Sequence, residues 1–164
     1  GMLQLLLSQA RLALEGEDLS PLTPPPFTVA TGVSAAPFIV QVLDLCRENE
    51  RLLPCVDFGH LYARTLGELE GYEACVKMLD RIKEVLGEER ASRFHSHFSK
   101  IQFTPNGGEK MHLTFDQEDF GPDPAPLMAA IARRGWSPTF ICESAGTQAE
   151  DALTMKKLYQ ESCV

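Results

Sequence analysis

The sequence predicts an α/β protein in which about four parallel strands alternate with helices. Short apolar runs bounded by turn residues, as at 52–58 and 139–142, have the length and composition of buried strands. Between them, residues 72–86 place apolar side chains at helical spacing. Because a strand, a helix and the next strand usually join by a right-handed crossover, consecutive strands should be parallel. We expect the order α-β-α-β-α-β-α-β-α.

The amino-terminal part of the chain predicts a helix, a linker and the first strand–helix unit. Residues 2–14 place leucines on one helical stripe, which Gly16 ends. Residues 19–26 contain four prolines and predict a loop or linker. A short strand at 27–31 and a helix at 37–48 follow.

The central part predicts two further strands and a long helix between them. Residues 52–58 form the second strand of the predicted sheet. Thr65 and Glu68 have the spacing of a capping box, which predicts a helix from there to about Leu86. Residues 94–101 alternate in polarity and predict the third strand.

The last third of the chain predicts a long loop, two helices and the last strand. Residues 104–121 are a polar excursion, and a loop of that length in a compact domain is usually functional or disordered. Asp123, followed by proline, predicts the start of a helix. After the strand at 139–142, Thr147 and Glu150 predict a second capping box and a terminal helix.

Length and charge indicate one domain that spans 1–164. With 164 residues the chain is shorter than the ~250 residues typical of a complete eight-stranded α/β barrel. The formal net charge of −8 leaves no basic face for non-specific contact with phosphate backbones. A cation bound in one pocket would still reverse the local potential there.

The cysteines and the hydropathy pattern indicate a soluble, cytoplasmic protein. The five cysteines form no CxxC pair and lie mostly in apolar segments, which predicts reduced core thiols. No apolar run approaches the length of a membrane span, and residues 2–14 lack a basic leader and a cleavage site. Gly1 before Met2 is typical of a cloning scar.

Acidic residues and histidines follow the predicted strands. Asp57 and His60 follow the second strand, His95 and His97 lie on the third, and Glu143 follows the last. Because the carboxyl ends of parallel strands meet at one edge, we expect these side chains to converge. A mixed set of oxygen and nitrogen donors suits zinc, manganese or iron(II) better than calcium. The sequence therefore predicts a divalent metal site, with zinc or manganese as cofactor.

The predicted core of this site is Asp57, His95 and Glu143. Three protein ligands leave positions open for water or substrate, which is typical of a catalytic site. Glu143 could act as a ligand or as a catalytic base. His97 lies two residues after His95 and shares its face of the strand, so it is a further candidate ligand. Asp57 could instead be a turn former or helix cap.

Three other residues are candidates for the site, and two of them also have a simpler interpretation. His60 is either a metal ligand or a surface residue of its loop. His112 is a further candidate ligand in the polar excursion. Lys100 either steers a phosphate or carboxylate of the substrate, or is an ordinary exposed lysine.

Four short motifs resemble the carboxyl-terminal half of the xylose-isomerase-like TIM barrels, and within that group the endonuclease IV branch. The similarity extends from Thr28 to the end of the chain and implies a partial (β/α) TIM-type barrel. The motifs are residues 54–60 (Pro-Cys-Val-Asp-Phe-Gly-His), 95–100 (His-Ser-His-Phe-Ser-Lys), 112–115 (His-Leu-Thr-Phe) and 141–144 (Ile-Cys-Glu-Ser).

The resemblance assigns metal-binding roles to several of these residues and also marks departures. It implies that Asp57, His95 and Glu143 hold metal and that His60 holds a further zinc. Val29 or Ala30 stands where the family has a ligating glutamate. The first half of such a barrel, with two histidines that hold the first zinc of endonuclease IV, has no counterpart here.

Three functions follow as alternatives. The first is metal-dependent hydrolysis of phosphodiester bonds at abasic DNA sites, as in endonuclease IV. The second is isomerisation or epimerisation of a sugar with one divalent ion. The third is a non-catalytic half-barrel that serves in assembly. Because four parallel strands cannot close a barrel, we also expect a homodimer through the exposed faces, or else a monomer whose first helix covers them.

Overall fold

The computed structural model describes residues 27–30, 35–106 and 108–163, with side chains described from residue 41 onward. The helix predicted at 2–14 and the linker predicted at 19–26 lie outside the described residues.

A parallel sheet forms the centre of the molecule, and its strands are ordered as they occur in the chain. In the register, Cys55 lies opposite His95 and Asp57 lies opposite His97. Residues that follow these strands therefore lie along one edge of the sheet. The four strands are β1 (Phe27–Ala30), β2 (Leu52–Asp57), β3 (His95–Phe98) and, after the hairpin described below, β6 (Thr139–Cys142).

Helices connect successive strands of the sheet, so the predicted α/β class is confirmed. They are α1 (Ala35–Glu48), α2 (Phe58–Arg64), α3 (Gly71–Leu86), α4 (Glu88–Ala91), α5 (Pro124–Ala132) and α6 (Gln148–Glu161).

The main apolar core lies between one face of the sheet and the helices. Val56 of β2 and Phe98 of β3 are completely buried there, and the ring of Phe58 lies 6.4 Å from that of Phe98. Burial of each such side chain contributes about 1.5–3 kcal/mol. This face stabilises the fold and holds the ends of β2 and β3 in a fixed arrangement.

A hairpin follows β3 where the sequence predicts the end of a strand and an irregular loop. Its strands are β4 (Lys100–Phe103) and β5 (Glu109–Leu113), which pair antiparallel. The predicted continuous strand at 94–101 is wrong because the chain turns at Ser99 and leaves the sheet. The side chains of Ile101 on β4 and Leu113 on β5 are buried, which explains why this mostly polar segment forms a regular hairpin.

The turn at Ser99 lies directly against helix α2. A Cβ atom on Gly59 would be 2.6 Å from the carbonyl oxygen of Ser99, closer than real Cβ contacts. Glycine is therefore required at position 59 for α2 and the hairpin to approach each other.

The capping box predicted at Thr65 is wrong. Helix α2 directly follows β2, and Thr65 is at its end, where its hydroxyl donates to the carbonyl oxygen of Leu61 at 2.9 Å. The long helix α3 begins only at Gly71. A Thr-x-x-Glu pattern between two helices can thus serve the end of the first helix rather than the start of the second.

The helix starts predicted at Asp123 and Thr147 are both right, but only Asp123 caps its helix. Asp123 caps α5, because its carboxylate accepts from the main-chain N–H of Ala125 at 3.0 Å. Thr147 precedes α6, but its hydroxyl donates to the carboxylate of Asp151 at 2.9 Å instead of capping the helix. The start of α6 is therefore right, and the predicted capping box is not formed.

All five cysteines are free thiols, as predicted. Cys46, Cys55, Cys75 and Cys142 are buried, and Cys163 is exposed. Among the described helices, none combines the length and the hydropathy that crossing a bilayer requires.

Candidate metal centre

All four histidines of the chain belong to one cluster of donor side chains. His95 and His97 lie on β3, His60 lies on α2 directly after β2, and His112 lies on β5 of the hairpin. They meet because β2 and β3 are adjacent and parallel, and because the hairpin turns back over the ends of both strands.

The first group of donors comprises Asp57, His97 and Glu143, which we call the sheet-edge group. One ligand atom from each lies within 4.8 Å of the other two. Nδ1 of His97 is 3.1 Å from Oε1 of Glu143. His97 and Glu143 are each about one-third exposed, whereas Asp57 is nearly buried. The group is therefore open to solvent on one side and anchored in the sheet on the other.

The second group comprises His60, Glu109 and His112, which we call the hairpin group. Glu109 contacts both imidazoles, with Oε2 2.8 Å from Nε2 of His60 and Oε1 3.2 Å from Nε2 of His112. The two rings are 5.6 Å apart. Oγ of Ser99 lies 2.8 Å from Nδ1 of His112 and holds that ring in orientation.

Asp57 joins the two groups. Its Oδ1 accepts from the main-chain N–H of His60 at 2.9 Å, so it caps α2. Its Oδ2 is 2.5 Å from Nδ1 of the His60 ring. Asp57 is thus the helix cap that the sequence offered as one alternative, and its role as a metal ligand stays a prediction.

The Asp57–His60 contact changes how both groups titrate. The hydrogen bond to Asp57 is the largest cause that raises the pKa of His60 to about 9, and the charges of Asp57 and Glu109 add to it against the opposing effect of burial. Burial would raise the pKa of Asp57, but the hydrogen bonds and charge of His60 outweigh it and keep that pKa below its usual range. At neutral pH the metal-free site therefore contains a carboxylate and an imidazolium.

His95 occupies a different position from the one predicted. It shares a face of β3 with His97, as the alternation required, and the two rings are 5.7 Å apart in an edge-to-face arrangement. However, the structure places His97 rather than His95 with Asp57 and Glu143. His95 instead lies beside His97 and Cys55.

Lys100 points toward the segment that follows the hairpin. Its ammonium group donates to the carbonyl oxygens of Phe115 at 2.8 Å and Gln117 at 2.7 Å. In this arrangement its charge stabilises the local backbone. A role in binding a substrate anion stays a prediction.

Glu109 is the residue that the sequence reasoning missed. It lies in the polar excursion where no strand was predicted, so nothing indicated which side chains of that segment face the site. The signal was the spacing from Glu109 to His112, which the bulged β5 brings to the same side.

The residues present fit a divalent ion. The sheet-edge group offers two carboxylates and an imidazole, and the hairpin group offers one carboxylate and two imidazoles, both of which suit zinc or manganese. Ligand atoms within 4.8 Å of one another can share an ion with bonds of about 2 Å after small side-chain rotations. Two of these donors, Asp57 and His97, lie on strands that the buried face of the parallel sheet holds in place.

The chain has a curated archaeal relative. The uncharacterized protein MJ0133 of Methanocaldococcus jannaschii is 36% identical over 123 residues, which is 75% of this chain and 43% of the relative. The chain thus spans less than half the length of that relative. No family model matches the chain, and no solved structure matches it either.

Proposed function

We propose that the protein is a divalent-metal-dependent hydrolase of phosphodiester bonds, of the endonuclease IV kind, with DNA that carries abasic sites as its substrate. The observation that supports this proposal best is the contact between Asp57 and His60, which joins the sheet-edge group and the hairpin group. Adjacent metal sites about 3.5–4 Å apart are typical of enzymes that cleave phosphodiesters.

Each donor group would contribute in its own way. Asp57, His97 and Glu143 would hold one ion, and His60, Glu109 and His112 would hold a second. Bound there, divalent ions supply Lewis acidity to a phosphoryl group and activate water as a nucleophile.

The chain's own residues set the positions and protons of the site. Asp57 is fixed through Oδ1 by the main chain of α2, which limits how far its carboxylate can move from the edge of the sheet. Ser99 orients His112 and leaves Nε2 of that ring directed at Glu109. Glu143 is about one-third exposed, so it can reach substrate or accept a proton from water.

We further propose that the sheet is half of a TIM-type barrel. The strands follow chain order, neighbours are parallel and helices lie between them, as in a (β/α)8 barrel. At the β6 edge, Ile141 is 47% exposed, which is unusual for a large apolar residue of a central sheet. A second copy of the chain would cover this edge in a homodimer.

A sugar isomerase or epimerase is the second candidate. Two observations favour it: the net charge of −8, and the use of Lys100 to bind main-chain carbonyls rather than a phosphate. A neutral sugar needs no cationic side chain for binding, whereas DNA usually does.

Cleavage of an oligonucleotide with one abasic site tests the proposal. The full chain, loaded with Zn2+ or Mn2+, should cut at the abasic position, and Asp57→Asn should lower the rate about 10–100-fold or more. Glu150→Gln, which changes an exposed carboxylate on α6, is the matched control and should leave the rate unchanged.

Two results would decide against hydrolysis. Ketose–aldose exchange without strand cleavage would select the isomerase. Neither activity, with less than about a tenth of an equivalent of metal retained after loading, would support a non-catalytic half-barrel that serves in assembly.

A further inference from the structure

Cys55 lies on β2 two residues before Asp57, on the same face of the sheet and farther from the carboxyl end of the strand. It lies beside two imidazoles. It is directly opposite His95 in the register of β2 and β3. One ligand atom from each of Cys55, His95 and His97 lies within 4.8 Å of the other two. Cys55 is 2% exposed, and the two histidines are partly buried. A thiol and two imidazoles thus face one another on two adjacent, well-packed strands.

One imidazole of this group, that of His95, is not used by other polar interactions of the described residues. Among those residues, the ring nitrogens of His95 have no hydrogen bond or ion pair, and the ring only lies edge-to-face against His97. The main-chain N–H of His97 hydrogen-bonds the sulfur of Cys55.

We propose that Cys55, His95 and His97 form a distinct, sulfur-containing site for a thiophilic divalent ion such as zinc, cobalt or cadmium. One thiolate and two imidazoles form a set that selects such ions over magnesium, calcium and manganese. On binding, the ion forms a bond to the Cys55 sulfur and the thiol proton leaves to solvent. Three protein ligands leave a fourth position for water.

This site goes beyond the proposed function and does not depend on hydrolysis. It shares His97 with the sheet-edge group, in which Nδ1 of that ring faces Glu143. An ion bound to the Cys55 sulfur would therefore compete with an ion in the sheet-edge group for the His97 imidazole, or the imidazole would bridge the two ions. The protein would then respond differently to thiophilic ions and to oxygen-preferring ions.

Titration of the full chain with Co2+ tests the proposal, because only sulfur ligation produces a thiolate-to-cobalt charge-transfer band in the near ultraviolet. All proteins carry Cys163→Ser, which removes the exposed thiol. We expect the band to appear at about one equivalent and to be absent in Cys55→Ser. Loss of an outer-shell partner alone lowers metal affinity about 10–100-fold. His95 is a direct ligand in the proposed site, so His95→Gln should raise the Co2+ concentration at half-maximal band intensity at least tenfold.

Two matched variants isolate the site. Cys142→Ser, at a buried thiol near Met155 in the main core, should keep the band. Glu143→Gln should also keep it, although it removes a sheet-edge donor. Absence of the band at saturating Co2+, or a band that persists in Cys55→Ser with a native circular dichroism spectrum, would overturn the proposal. Loss of abasic-site cleavage alone would not affect it.

Discussion

The two faces of strands β2 and β3 differ in what their side chains do. On one face, Val56 and Phe98 are completely buried against the helices and make the main core. On the other, Asp57 and His97 belong to the cluster of donors. Because side chains alternate along a strand, neighbouring residues of one short segment serve stability and chemistry separately. Changes on the first face should affect folding, and changes on the second should affect metal binding.

The largest effect is expected from Phe98→Ala. Phe98 is fully buried between the rings of Phe58 and Phe115, so removal of its ring should lower the free energy of unfolding by about 3–5 kcal/mol. Urea denaturation of the metal-free protein measures this loss. His97→Gln, on the other face of the same strand, is the control and should change stability much less. Equal losses in the two variants would contradict the division between the faces.

The next effect concerns pH and His60. Its pKa in the folded protein is raised from its ordinary value of 6.5 to about 9, so this group should stabilise the metal-free protein fully below pH 6.5, as long as Asp57 stays ionised, and lose the effect as the pH rises through 9. We expect His60→Gln to be less stable than the wild type by roughly 1–3 kcal/mol just below pH 6.5. Denaturation at several pH values should show this difference shrinking above pH 9. A difference that is constant with pH would mean that the pair does not form.

A smaller effect, about tenfold in affinity, is expected from Glu109→Gln. Glu109 contacts both imidazoles of the hairpin group, so its loss should weaken zinc binding there by about 1.4 kcal/mol or more. Calorimetric titration with zinc measures the affinity, with Glu118→Gln, an exposed carboxylate of the same excursion, as the control. Identical titrations of the two variants would exclude the hairpin group as a metal site.

The smallest effect is expected from Lys100→Met. Loss of two partly exposed hydrogen bonds to main-chain carbonyls should cost about 1 kcal/mol of stability and leave zinc affinity unchanged. Cleavage of a phosphodiester by the same variant should be measured together with its stability, so that the two losses can be compared. If activity falls far more than stability, the lysine contacts the substrate anion as the sequence suggests.

The regular part of the fold was predictable from the sequence because it depends on local patterns. The apolar run that became β2 and the Asp123-Pro124 start of α5 were recognised by composition and spacing alone. The hairpin was not, because its order depends on burial of Ile101 and Leu113 by residues distant in the chain. The placement of Thr65 failed for a related reason, since a capping pattern does not say which of two helices it serves.

The sequence indicated most residues of the candidate site, but it did not indicate which of them lie together. Strand ends indicated that Asp57, His95 and Glu143 would approach one another, with His97 as a further candidate. The ligand atoms that lie within 4.8 Å are instead those of Asp57, His97 and Glu143. The sequence could not tell His95 from His97, since both point to the same side of β3 and only the register against β2 and β6 separates them. It could not include Glu109 either, because that required knowledge of the hairpin.

The absence of a side chain at Gly59 has a consequence for the geometry of the hairpin group. The backbone of α2 touches the carbonyl of Ser99 with room for a hydrogen atom only. His60 is attached to one side of this contact, and Ser99, which orients His112, is on the other. A single methyl group at position 59 would force α2 and the hairpin apart and would move the imidazole of His60 away from Glu109. The spacing of the donors within the hairpin group is therefore determined by a residue that is not one of them.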